Sequence, residues 1–143
     1  MQLDTNNKIV RLCADGMVRE GQGQGKEALK LFHQAWDEAI NKFEKFIAAH
    51  YVARHQETVA DKLQWDQTAL QLALDIDDGS VKSAYPSLYL NIAKDYEDLN
   101  DFHEARKNYD LALSFIGRLS DDGYGNMIKA GILKGIERVK SNA

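Results

Sequence analysis

Residues 86–119 read PSLYLNIAKDYEDLNDFHEARKNYDLALSFIGRL, and this stretch decides the fold. Tyr89, Ile92, Ala93 and Tyr96 stand at i, i+3, i+4 and i+7, which places them on one face of a helix. After a short polar turn around Asn100 and Asp101, Ala105, Tyr109 and Ala112 continue in the same phase, with Leu113 beside them. The pattern predicts two amphipathic helices folded back on each other. Small Ala93 and Ala105 let the two backbones approach, while Tyr96 and Tyr109 wedge between the helices.

The same intervals recur upstream. Gly16 precedes Ala28 by twelve residues, as Ala93 precedes Ala105, and Ala28, Phe32 and Ala35 repeat the spacing of Ala105, Tyr109 and Ala112. The turn Gly21-Gln-Gly-Gln-Gly25 lies between them. Asp4, Thr5 and Asn6 offer caps for a first helix running to about Glu20, with Ile9, Leu12, Cys13, Gly16 and Val18 as its buried stripe. A step of 34 residues from Ala35 reaches Ala69, and takes Leu12 to Phe46 and Gly16 to His50. This predicts helices near 42–56 and 58–76, the latter opened by Thr58 and Asp61 in a capping-box-like pair. His50 and Lys62 stand where small residues are expected, and Trp65 supplies the bulk. Asp77-Asp78-Gly79-Ser80 breaks the chain, and Pro86 suits a first helical turn, so a helix restarts at Tyr85. Past Leu119, Asp121-Asp122-Gly123 introduces a last helix to about Val139. Met127, Gly131, Ile132, Ile136 and Val139 are expected to cover the open end of the array.

An aromatic, then Ile-Ala, then Tyr, then Ala, Tyr and Ala at these intervals resembles the tetratricopeptide repeat (TPR). The resemblance spans roughly residues 8–119 and is strongest over 86–119. It implies an all-α chain, a right-handed α-α superhelix of about three TPR-like hairpins near 5–40, 42–77 and 81–119, with a C-terminal capping helix near 123–140. The whole of 1–143 would form one domain. Members of the family bind peptide segments or helices of other proteins on a concave face lined by the first helix of each pair, as scaffolds without a catalytic centre. Projected onto this chain, the family geometry puts Tyr51, Arg54 and His55 on the concave side of the second hairpin, and Asn91 and Lys94 on the same side of the third. Asn and Lys at such places can hold a carboxylate or a peptide backbone. The implied partner is a protein or peptide, with an acidic segment or a free C-terminus suited to a local cationic groove.

Composition narrows the alternatives. A net charge of −4 leaves no basic excess for phosphate binding, which disfavours a nucleic-acid role. Cys13 is the only cysteine, so no intramolecular disulfide can form, as befits a reducing cytosol. The N-terminal MQLDTNNKIV lacks a basic region followed by an apolar core, and no apolar run approaches the ~20 residues that span a membrane. A cytoplasmic protein is expected.

Few constellations suggest chemistry. Glu20-Gly-Gln-Gly-Gln-Gly25 matches the acidic-GxGxG loop of S-adenosylmethionine-dependent methyltransferases, in which Gly21, Gly23 and Gly25 would let backbone approach the cofactor. That motif needs a buried strand before it, and ADGMVRE is not one, so an inter-helix turn is the expectation and the methyltransferase the alternative. His50 and His55 lie five residues apart and point about 140° apart on a helix, which prevents shared metal ligation. His33 and His103 read as solvated, Cys13 as packing, and Asp95, Glu97, Asp98 and Asp101 as a solvated acidic face. Gly123-Tyr-Gly125 reads as a loop into the last helix. No catalytic residue, cofactor site or metal site is expected. A self-associating module, joined end to end through an imperfect cap, is the other alternative.

Overall fold

The computed structural model describes residues 3–142, and the regular structure of those residues is entirely helical. Seven α-helices follow in order among them: α1 Lys8–Gly21, α2 Gly25–Glu38, α3 Lys42–Val52, α4 Val59–Leu74, α5 Tyr85–Asp98, α6 Phe102–Ser114 and α7 Gly123–Lys140. Short 3₁₀ turns occupy Ala53–His55, Lys82–Ala84 and Ile116–Arg118. No helix among the described residues is long and apolar enough to cross a membrane.

Side-chain caps set most of the helix starts. Asn41 accepts from the Glu44 amide to open α3, Thr58 from Asp61 to open α4, Asp101 from Glu104 to open α6, and Asp122 from Gly125 to open α7. The first helix begins later than the sequence suggests. Asn7, rather than Asp4, Thr5 or Asn6, caps α1, its Oδ1 accepting from Ile9 at 2.8 Å and Val10 at 3.1 Å. Asp4 instead takes the Asn6 amide at 2.9 Å in the preceding turn. α5 has no side-chain cap; Pro86 in its first turn and the 3₁₀ lead-in over Lys82–Ala84 serve that purpose. α3 ends at Val52, short of the expected 56, and Gln56 turns extended while its Nε2 donates to the Val52 carbonyl at 2.9 Å.

The chain divides into two compact units, residues 3–77 and 78–142. In the first, α1 pairs with α2, both pack on α3, and α3 pairs with α4. In the second, α5 pairs with α6 and α7 packs against both. The α1–α2 and α5–α6 turns are the same motif, with Gly23 (φ 75) and Asn100 (φ 61) in the left-handed region. The Gln24 amide reaches the Arg19 carbonyl and the Gly23 amide reaches Glu20. Equivalent bonds run from Asp101 to Tyr96 and from Asn100 to Glu97. Each turn thus satisfies the orphan carbonyls of the helix it ends, with Gly or the αL-tolerant Asn at the residue that requires positive φ.

Packing follows the small-and-large pattern, with shifts of register. A Cβ added at Gly16 would lie 2.2 Å from the Phe32 ring, and one added at Gly135 would lie 2.2 Å from the Tyr109 ring. Ala93, Ala105, Tyr109 and Val139 form one buried cluster, bordered by Leu90, Tyr96, Phe102 and Ile136. Ala112, Ile128 and Ile132 form another. Val18 is 58% exposed and falls outside the predicted stripe of α1, where Val10 is buried instead. Met127 is 61% exposed, and its neighbour Ile128 takes the core position of α7. Around α4, Trp65 meets Trp36 edge-on at 5.1 Å and His33 at 5.8 Å, so His33 is half-buried against an indole rather than solvated.

The ring contact at Gly16 decides the sign of a substitution. In a solvated helix interior, Gly→Ala is worth about 1 kcal/mol of stability. Gly21→Ala, with nothing within 4 Å of the new Cβ, should keep part of that gain. Gly16→Ala should instead lower stability by about 1–3 kcal/mol, because Phe32 must move. Urea unfolding of the two variants checks this, and a stabilised Gly16→Ala would place the Phe32 ring elsewhere.

Candidate functional site

Tyr51 sits in the last turn of α3, and Arg54 and His55 in the 3₁₀ turn that follows. The helix end brings all three to the α1–α2 hairpin. Phe32 of α2 stacks on Tyr51 with ring centroids 5.2 Å apart and on His55 at 6.1 Å. The Arg54 guanidinium lies over the Tyr51 ring, 5.7 Å from its centroid. Arg54 Nε donates to Glu20 Oε2 at 3.0 Å, and His55 Nε2 meets the same oxygen at 2.5 Å. Glu20, the acidic residue of the glycine-loop motif, therefore gathers the Arg54 and His55 side chains on one oxygen. Its role is invisible in local spacing because it stands 34 residues before Arg54.

Asn91 and Lys94 lie on α5, in the other unit. Asn91 is half-buried. Lys94 is exposed and pairs with Asp98 one turn on, at 2.6 Å. The sequence-derived residues thus form a close group of three in the first unit and a separate pair of positions in the second.

The C-terminal unit holds a counterpart to Glu20. Glu97 accepts the Tyr109 hydroxyl at 2.7 Å and Arg138 through Nε at 2.8 Å and Nη2 at 3.2 Å. Arg138 Nη2 also donates to the Tyr109 oxygen at 3.2 Å. Burial pushes the Glu97 carboxyl up, but the bonds from Arg138 and Tyr109 outweigh it and hold the group below the ordinary carboxylate range. Burial and the Glu97 bond push the Tyr109 phenol up. The acidic face expected over residues 95–101 is therefore not uniformly solvated. Asp95 is 1% exposed, Glu97 is bonded into this network, Asp98 pairs with Lys94, and Asp101 caps α6.

Further polar groups lie in the interior of the first unit. Glu44 accepts the Ile40 amide at 3.0 Å and Asn7 Nδ2 at 2.8 Å, bonds that keep its carboxyl low and tie the α1 cap to α3. His50 has its Nδ1 buried without a hydrogen-bond partner among the described residues. Burial pushes its pKa below the ordinary histidine value against the opposing pull of Asp66, which is itself 3% exposed and bonded to Lys62 at 2.6 Å. Burial also pushes the Cys13 thiol up to about 12, far from a nucleophile's range. The glycine loop joins α1 directly to α2, with no strand before it. No group of three or more His, Cys, Asp or Glu among the described residues is placed to hold a metal.

Comparison of the chain with protein-family models, with curated proteins and with solved structures finds no match.

His50 gives stability a pH dependence of known sign. The unfolded chain titrates near 6.5, and the folded one lower, so below about pH 6.5 the unfolded state binds more protons. Stability should fall as pH drops from about 7 toward about 5, and His50→Gln should flatten that slope. Urea midpoints across this window check it; an unchanged slope in His50→Gln would assign the dependence to other groups.

Proposed function

We propose that the chain is a non-catalytic interaction module of the tetratricopeptide superhelical type, an adaptor that binds a peptide or protein segment in the cytoplasm. The observation that carries this reading is one hairpin built twice, 77 residues apart. Gly16 and Ala93 supply the small position, Phe32 and Tyr109 the ring, Glu20 and Glu97 the carboxylate, and Gly23 and Asn100 the left-handed turn. Chains built from such units bury their apolar faces on neighbouring elements and leave helix faces for partners. Tyr51, Arg54 and His55 offer an aromatic, a cation and an imidazole at one helix end, a mixture suited to an acidic segment or a C-terminus. Nothing favours the methyltransferase alternative, because the backbone of the glycine loop is used to end α1 and begin α2.

Neutral replacement tests the binding residues without setting like charges against Glu20 or Asp98. Arg54→Gln combined with Lys94→Gln should abolish capture of the partner retrieved by the tagged wild-type chain, as read by affinity capture and mass spectrometry. Helicity and Tm should stay close to wild type, since each exposed pair is worth only about 0–1 kcal/mol. A folded double variant that retrieves the same partner shows that binding needs neither residue.

A further inference from the structure

We propose that the outward side of α7 is a separate docking surface, and that its occupant is an acidic amphipathic helix of a partner protein. A helix that only closed the end of an array would turn polar side chains outward. α7 does not. Its inward stripe is Gly125, Ile128, Ile132, Gly135 and Val139. Outside that stripe Tyr124 is 56%, Met127 61% and Leu133 45% exposed, more large apolar side chains than any other helix of the described residues leaves open. Met127, exposed Ala130 and Leu133 follow at i, i+3 and i+6 and slant across the outward side. Small Ala130 between two longer side chains makes a shallow hollow, the form that takes a side chain from a crossing helix.

Charge selects the occupant. Lys129, Lys134, Arg138 and Lys140 against Glu137 give residues 123–143 a net charge of +3, whereas five cations against nine carboxylates give residues 78–122 a net charge of −4. Arg138 is already bound to Glu97. Lys129, Lys134 and Lys140 are exposed and enter no ion pair among the described residues. Lys134 lies one turn beyond Ala130, and Lys129 one turn before Leu133, so a cation stands on each edge of the apolar row. A helix with an apolar stripe flanked by Asp or Glu meets both features at once. Other occupants fit less well. A bilayer or a nucleic acid extends past α7 and would meet Asp121 and Asp122 at its start, where bonds from the Gly125 amide and Ser120 hold the Asp122 carboxyl below the ordinary carboxylate range. A second copy placed α7 to α7 would set the same lysines against each other. The exposed Met17 and Val18 of its α1 lie among Arg11 and Arg19 with only Asp15 to offset them, which is no acidic edge.

The test uses the full-length ¹⁵N-labelled chain and a capped peptide of three Glu-Ile-Ala-Ala-Leu-Glu-Glu repeats. One control peptide has Lys in place of every Glu, and the other has Ala in place of every Ile and Leu. The acidic peptide should shift the Met127, Ala130, Leu133 and Lys134 amides saturably, gain helicity on binding, and bind more weakly as salt rises. Each control should bind at least about tenfold more weakly. Met127→Gln with Leu133→Gln should weaken binding about tenfold, and Lys129→Gln with Lys134→Gln about fivefold. Tm should stay near wild type in both, because all four side chains are exposed. Arg54→Gln with Lys94→Gln should bind the peptide as wild type does, since neither residue lies on α7. Failure at α7 therefore leaves the reading of Tyr51, Arg54 and His55 standing. No saturable shift with the acidic peptide, an equal response to either control, undiminished binding by either α7 variant, or lost binding in the Arg54–Lys94 variant overturns the assignment. Movement of the same amides by phosphatidylcholine–phosphatidylserine vesicles but not by the peptide also overturns it and makes a bilayer the occupant. Their movement with chain concentration alone overturns it in favour of a second copy.

Discussion

A ring on a second helix that lies against a position with no side chain is the contact on which the rest of this molecule depends. Phe32 lies where a Gly16 Cβ would be, and Tyr109 where a Gly135 Cβ would be. Interiors packed to crystal-like density leave no slack for an extra methyl at such a point, so the contact fixes how closely and in what register the helices meet. In the first unit the contact lies within the α1–α2 hairpin, and in the second it joins α7 to α6. The left-handed turn of each hairpin lies three residues past Glu20 or Glu97. Those glutamates come to lie beside the rings, where an arginine from the following element can reach them. A single atom separates the two outcomes. The Tyr109 hydroxyl draws Glu97 and Arg138 into a closed network, whereas Phe32 leaves Arg54 bonded through one nitrogen.

Much of this was legible in the sequence because helix packing is periodic. The twelve-residue interval from Gly16 to Ala28 and from Ala93 to Ala105, and the pairing of Thr58 with Asp61, placed the helices to within a few residues. The nearness of Tyr51, Arg54 and His55 was also legible, because they are close in sequence and share one helix end. Partnerships between distant residues were not. Glu20 and Arg54 lie 34 residues apart, and Glu97 and Arg138 lie 41 apart, with no periodicity joining them. The coincidence of Glu20 with Glu97 at the repeat interval was the available signal. Without their partners, Glu97 and the buried Asp95 look like members of a solvated acidic run. Register errors at Val18 and Met127 have simpler causes. Met127 stands next to the core position Ile128, and hydropathy alone does not choose between neighbours on a helix edge; Val18, between exposed Met17 and Arg19, is an apolar residue on a solvated face.

Buried polar groups refine the apolar framework rather than replace it. Glu44 joins the α1 cap to the start of α3 by accepting from Asn7 and Ile40. Lys62 and the buried Asp66 lie one turn apart on α4, near His50. Removing one partner of such a pair leaves a charge uncompensated in a dry setting, which costs more than the pair contributes when intact. Loss of Lys62 would leave the buried Asp66 carboxylate without that partner, so the pair is expected to resist substitution at one member alone.

The central claim, that a ring on the second helix occupies the space left by a missing side chain, can be read directly by nuclear Overhauser spectroscopy. The account predicts strong contacts from the Gly16 Hα protons to the Phe32 ring and from the Gly135 Hα protons to the Tyr109 ring, because each Cβ site lies 2.2 Å from a ring carbon. Absence of both sets of contacts in the folded chain would contradict it.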